Sequence, residues 1–145
     1  MSTPVSKVYS IFLRKISDLD MAGYDDALLK DSLDGLLEMA IMRFDGYCLN
    51  KLTLTEKDDE IYFDSDLTGK EIDILTEYML LNWYAPKVND ADKMRNNLNT
   101  KDFTEYSKAN MLAEVEATYD KVQHRARSLM NEYLTLNGDL STWKP

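Results

Sequence analysis

Asp64, Asp66 and Gly69 stand at the spacing of a calcium-binding loop. That loop needs a third acid before the glycine and a bidentate glutamate six residues after it, because calcium is held by many oxygens at once. Thr68 occupies the place of the third acid and Leu75 that of the glutamate. The residues therefore read as a solvated turn ahead of a helix cap. His124 is the one histidine and Cys48 the one cysteine. A zinc set cannot be assembled easily from so few soft ligands. A Cys48–His124 nucleophile–base pair is chemically allowed. Yet Gly46-Tyr47-Cys48-Leu49 matches no nucleophile motif. The expectation is a buried structural thiol and a polar histidine on a helix face. The five glycines are scattered singly, with no phosphate-cradling loop. The many carboxylates read by default as a solvated face. No catalytic, cofactor-binding or metal-binding residue is assigned, and no cofactor is expected.

The elements that would carry any site are mainly helical. Leu112, Val115, Tyr119, Val122, Ala126, Leu129, Tyr133 and Leu136 alternate steps of three and four. This spacing predicts one apolar seam on a helix from about Ser107 to Asn137, roughly 45 Å long at 1.5 Å per residue. Asp102 or Ser107 caps its start, and Gly138 suits its C-cap. Such a helix is either a long core element or a scaffold shared with a neighbouring subunit. Val5, Val8, Phe12 and Ile16 predict a first helix over residues 4–16. An acidic linker over 17–25 follows. Leu29, Leu33, Leu36, Ala40 and Phe44, widened by Leu37 and Ile41, predict a second, capped by Asp25 or Asp26. Gly35 inside it is expected to permit a close helix crossing, and Gly46 to end the helix. Leu52, Leu54, Ile61 and Phe63 alternate around a charged turn at 56–60, which fits two short strands. A lone hairpin is marginal in water, so it needs support, expected from a neighbouring subunit. Thr68 and Glu71 form a capping box. The helix behind it carries Ile72, Leu75, Met79 and Trp83 and is expected to stop near Ala85, before Pro86. A short helix with Met94 and Leu98 then starts at Asn89 or Asp90. The expected fold is all-α: a small helical bundle over 1–138 with a long C-terminal helix and a 139–145 tail. A short β-hairpin near 51–66 is a candidate addition.

Charge narrows the function classes. The 145 residues carry a net charge of −9. Residues 18–77 hold 17 acidic against 5 basic side chains, a balance of −12, whereas 101–145 balance at −1. An acidic body argues against gripping nucleic acid through its phosphates. The single cysteine forms no intrachain disulfide, which fits a reducing cytoplasm. The first 16 residues interleave apolar positions with Lys7, Arg14 and Lys15 and do not read as a signal peptide. No apolar run approaches membrane-spanning length.

Two stretches resemble a known family. One is Leu67-Thr68 to Glu71, then Ile74-Leu75, Tyr78-Met79 and Trp83. The other is Lys101-Asp102-Phe103, Tyr106-Ser107, Ala109-Asn110 and Leu112, leading into a long helix that ends near Tyr133. Together they are similar to head–tail connector (adaptor, head-completion) proteins of tailed bacteriophages, over about residues 50–135. The resemblance implies a small helical bundle, made in the host cytoplasm and placed in the virion neck. About a dozen copies would form a ring, join the portal to the stopper or tail-completion protein, and extend the DNA channel. DNA would pass through without specific binding, and no membrane is involved. Under this reading the acidic wall repels DNA, with Asp58, Asp59 and Glu60 expected at the channel. Leu54, Ile61, Phe63, Lys121, Arg125 and Arg127 are expected at subunit interfaces. Leu140 and Trp143 in the tail are expected to contact the portal, the alternative being that the tail folds back on its own bundle. The competing function is a small acidic inhibitor that mimics DNA.

Overall fold

The computed structural model describes residues 2–16, 26–98 and 106–137, with the side chains of 26–28, 89–98, 106–112 and 137 outside that description. Four helices and one hairpin follow in order: α1 (Val5–Lys15), α2 (Asp26–Phe44), β1 (Leu54–Lys57), β2 (Glu60–Phe63), α3 (Gly69–Leu98) and α4 (Tyr106–Asn137). The fold is a mainly α bundle, as the periodicities predict. The linker at 17–25, Asp102, Gly138 and the tail with Leu140 and Trp143 lie outside the described residues.

α3 is the centre. Nearly every side chain from Glu71 to Trp83 is buried, where a single stripe was expected. A helix buried on all sides is one that other elements surround. α1, α2 and α4 all pack against it. α2 presents the predicted face: Leu33, Leu36, Leu37, Ala40 and Phe44 are buried, with Leu29 and Ile41 partly so. Gly35 is not a crossing point, since a β-carbon there would meet nothing within 4 Å. α4 buries Val122, Ala126, Met130 and Tyr133, so its seam drifts from the predicted line: Met130 sits deeper than Leu129, and Leu136 is exposed.

The expected break at Pro86 is absent; α3 runs through it to Leu98. Proline there removes one backbone bond and opposes the carbonyl of Asn82, a cost of about 3 kcal/mol in a helix interior. Packing across the proline opposes that cost. Lys87 Nζ lies 4.2 Å from the Trp83 ring centroid and 5.4 Å from that of Tyr84, spanning the break. Trp83 itself is anchored in the core.

The hairpin forms in the register Leu54↔Phe63, Thr55↔Tyr62, Glu56↔Ile61 and Lys57↔Glu60. Its support comes from its own chain. The Phe63 amide donates to the Thr3 carbonyl (2.8 Å), Pro4 bridges to Tyr62, and the Leu67 amide donates to Thr3 Oγ1 (2.9 Å). Phe63 is fully buried in this core, which corrects its expected place on a subunit interface. The turn is two residues, Asp58 (φ 53°) and Asp59 (φ 64°), both left-handed. A two-residue turn of this hand matches the strand twist but favours Asn-Gly. The double change Asp58→Asn with Asp59→Gly should therefore stabilise the protein by about 1 kcal/mol. Thermal unfolding by circular dichroism checks this; a lowered midpoint contradicts the strain.

Candidate functional site

The chemistry-bearing residues meet around two buried carboxylates on α3. Glu71 is 1% exposed. It closes the predicted capping box: the Thr68 amide donates to Glu71 Oε1 (2.8 Å), and the Glu71 amide donates to Thr68 Oγ1 (3.2 Å). Its carboxylate does more than cap. Asn50 Nδ2 also donates to Oε1 (2.7 Å), while the Cys48 thiol (3.2 Å) and the Tyr133 hydroxyl (2.8 Å) donate to Oε2. Tyr133 accepts in turn from the Leu49 amide at 2.8 Å, and its ring meets Phe44 edge-on at 5.2 Å. One carboxylate thus joins the start of α3, the loop after α2 and the end of α4.

The electrostatics follow from this geometry. Burial alone would raise the Glu71 carboxyl, but the donors from Thr68, Asn50, Tyr133 and Cys48 outweigh it and hold the group below its ordinary value. Burial, then the Glu71 carboxylate, push the Cys48 thiol up to about 12. The thiol is held protonated, the opposite of what a nucleophile needs. His124 is exposed on α4 and outside this network.

The second carboxylate, Glu77, is also 1% exposed. Its Oε1 receives Lys15 Nζ of α1 (3.0 Å) and Arg125 Nη1 of α4 (3.2 Å). Lys15 also meets Asp73 Oδ1 at 2.6 Å. Glu71 and Glu77 correct the reading of the acidic residues as a uniformly solvated face. Arg125, expected at a subunit interface, pairs with Glu77 of its own chain. Lys121 and Arg127 are exposed on α4.

The calcium-like residues have other work. Asp64 accepts from the hydroxyls of Thr53 and Thr55, and these bonds lower its pKa. Thr3 Oγ1 donates to Asp66 (3.4 Å). Among the described residues no cluster of His, Cys, Asp or Glu could hold a metal ion. Likewise no described helix is long and apolar enough to cross a membrane. Asp58, Asp59 and Glu60 form the exposed hairpin tip, where Glu60 also accepts from Ser6 Oγ and the Tyr62 hydroxyl.

An apolar groove of about 430 Å³ lies between α1, α2 and the hairpin, lined by Val5, Leu37, Ile41, Met42, Leu54 and Ile61. Tyr9 on its wall donates to Asp34; burial and that carboxylate raise its phenol, so it stays a donor. Leu54 and Ile61 were expected at an interface, and the structure brings them together here. The groove's helical wall was not foreseen, although Met42 stood out of phase with the α2 stripe. Compared with protein-family models, curated proteins and solved structures, the chain matches none.

Two outcomes test the network. Glu71→Gln places an amide donor among groups that already donate, so it should cost about 1–3 kcal/mol. Glu71 has a depressed folded pKa, so its stabilisation is present above the ordinary value of 4.5 and is lost as pH falls through the folded value. Wild type should lose stability across that acid window, and Glu71→Gln should flatten the loss; parallel pH profiles contradict the assignment. Lys15→Met should cost about 3 kcal/mol by denaturant unfolding, because it strips a partner from a buried charge. A change near zero would mean that Arg125 alone suffices.

Proposed function

We propose that the chain is a structural subunit of the neck of a tailed phage. Copies of it form a ring that joins the portal to the stopper or tail-completion protein and extends the DNA channel. The observation that carries this reading is where the resembling residues lie. Thr68 and Glu71 come from one stretch and Tyr133 from the end of the helix that follows the other, and all three meet in one buried network. The residues that carry the resemblance are thus packing residues, with Ile74, Leu75 and Met79 in the core between. Connector proteins need such a rigid body more than they need reactive groups.

The charge balance supports the same reading. DNA sliding through a ring is favoured by a wall that does not bind phosphate. The acidic body supplies that wall from its exposed carboxylates, with Glu71 and Glu77 withdrawn into the core. A closed ring also needs two different complementary faces on each subunit.

The test is direct. Mixed with the portal of its phage, the full chain should add a ring-shaped layer of about a dozen copies, seen by negative-stain imaging and native mass. A chain that leaves the portal bare overturns the reading. A lone monomer that instead blocks a nuclease marks the DNA-mimic alternative.

A further inference from the structure

The subunit carries two exposed apolar features with no residue in common. One is the groove between α1, α2 and the hairpin, with Met42 and Leu54 exposed on its rim. The other is an apolar end where Tyr47 (57% exposed) and Leu49 (69%), in the loop tied to Tyr133, and Leu136 (65%), on the helix that carries Tyr133, are exposed. The Leu49 backbone is held in place, because its amide is tied to the Tyr133 hydroxyl. Leu136 stands one turn beyond Tyr133 on α4. Soluble monomers rarely expose such clusters without a partner.

We infer that these two surfaces are partners across copies of this chain: the Tyr47–Leu49–Leu136 end of one subunit docks in the groove of the next. The occupant is a second copy because charge agrees with apolar shape. On α4, Arg125 and Lys121 lie about 20° and about 60° around the helix from Leu136, hence on its face, and about 16 Å and about 22 Å along it. Asp58 and Asp59, at the hairpin tip, each lie about 13 Å along the strands from the paired Leu54 and Phe63. When Leu136 enters the groove with α4 along the hairpin, Arg125 comes within side-chain reach of the acidic tip, and Lys121 follows one turn beyond it. Arg125, although bonded to Glu77, keeps more than half of its side chain exposed (56%). Arg127 points to the opposite side of α4, about 180° from Leu136, and takes no part. The contact is heterologous, since groove and apolar end are different surfaces, and repeated contacts of this kind close into a ring when the rotation from copy to copy closes. The inference rests on the ring reading and assigns Asp58 and Asp59 to the subunit contact rather than to the channel wall.

The test uses the full chain and two variants at exposed positions, Leu54→Glu in the groove and Leu49→Glu at the apolar end. Sedimentation of wild type should show oligomers that grow with concentration, weakened at least tenfold by raised salt. Each variant alone should associate at least tenfold more weakly. An equimolar mixture should form a heterodimer and nothing larger, because one intact groove and one intact end remain. A mixture without heterodimer, while wild type assembles, overturns the pairing and leaves the ring reading standing. The same holds if residues 138–145 of the same chain fill the groove, for then Leu54→Glu leaves assembly unchanged. Wild type that stays monomeric at about 1 mM also overturns the pairing. Attachment to the portal is scored separately, so failure of the neck reading is distinguishable from failure of these surfaces.

Discussion

The carboxylate of Glu71 is the constraint on which the packing of this bundle depends. A charge taken out of water is costly unless its lone pairs are met by donors. Here four donors meet it, from Thr68, Asn50, Cys48 and Tyr133. The donors come from three separate places in the chain, Cys48 and Asn50 sharing one loop, so satisfying one side chain fixes three connections at once. The first turn of α3 is capped, the loop after α2 is drawn in, and the end of α4 is positioned. Apolar packing alone allows helices to slide or rotate by small steps at little cost. Four hydrogen bonds of set length and direction do not.

Glu77 makes a second connection about one and a half helical turns along α3. Six residues separate it from Glu71, so the two carboxylates leave the helix in different directions. Glu71 reaches the loop and the C-terminal part of α4; Glu77 reaches α1 and the middle of α4. The second site is less fully satisfied, with Oε2 of Glu77 buried and lacking a hydrogen bond. A buried ion pair of this kind contributes more to the choice of arrangement than to net stability. The pair of sites sets α4 against α3 at two heights, which fixes its axial register.

Much of this was legible in the sequence, and the gaps have physical causes. The α2 stripe, the long α4, the capping box and the presence of the hairpin follow from local periodicity and local hydrogen bonding, but its turn, expected over 56–60, is only Asp58 and Asp59, with Glu56, Lys57 and Glu60 in the strands. Those signals act within about four residues, so composition and spacing report them. Pro86 misleads because its local penalty is opposed by the burial of Trp83 in the core, which no local rule contains. Glu71 reads as a cap, but its bonds to Asn50 and Tyr133 span 21 and 62 residues. Phe63 alternates with Ile61 as a surface hairpin would. It is buried because the N-terminal Thr3–Pro4 segment pairs with β2 and the core closes over it. The drift from Leu129 to Met130 in α4 follows from 3.6 residues per turn, which carries a straight seam off line over 32 residues.

The same polar network that orders the interior also determines what the surface offers. Tyr133 must spend its proton on Glu71, so its oxygen is left to accept the Leu49 amide. That bond holds the loop in a path that turns the Leu49 side chain outward. Leu136, three residues later, is carried past the edge of the core by the length of α4. The exposed apolar end is therefore a consequence of buried hydrogen bonding. The groove arises in a similar way: Thr3 and Pro4 hold the hairpin against α1, and Leu54 and Ile61 form one wall while α2 forms the other. Both surfaces are preorganised by the core, so little conformational freedom remains to be lost when a partner docks. Every copy of the chain therefore presents these two faces at the same relative angle, a property that the proposed repeated contact would use.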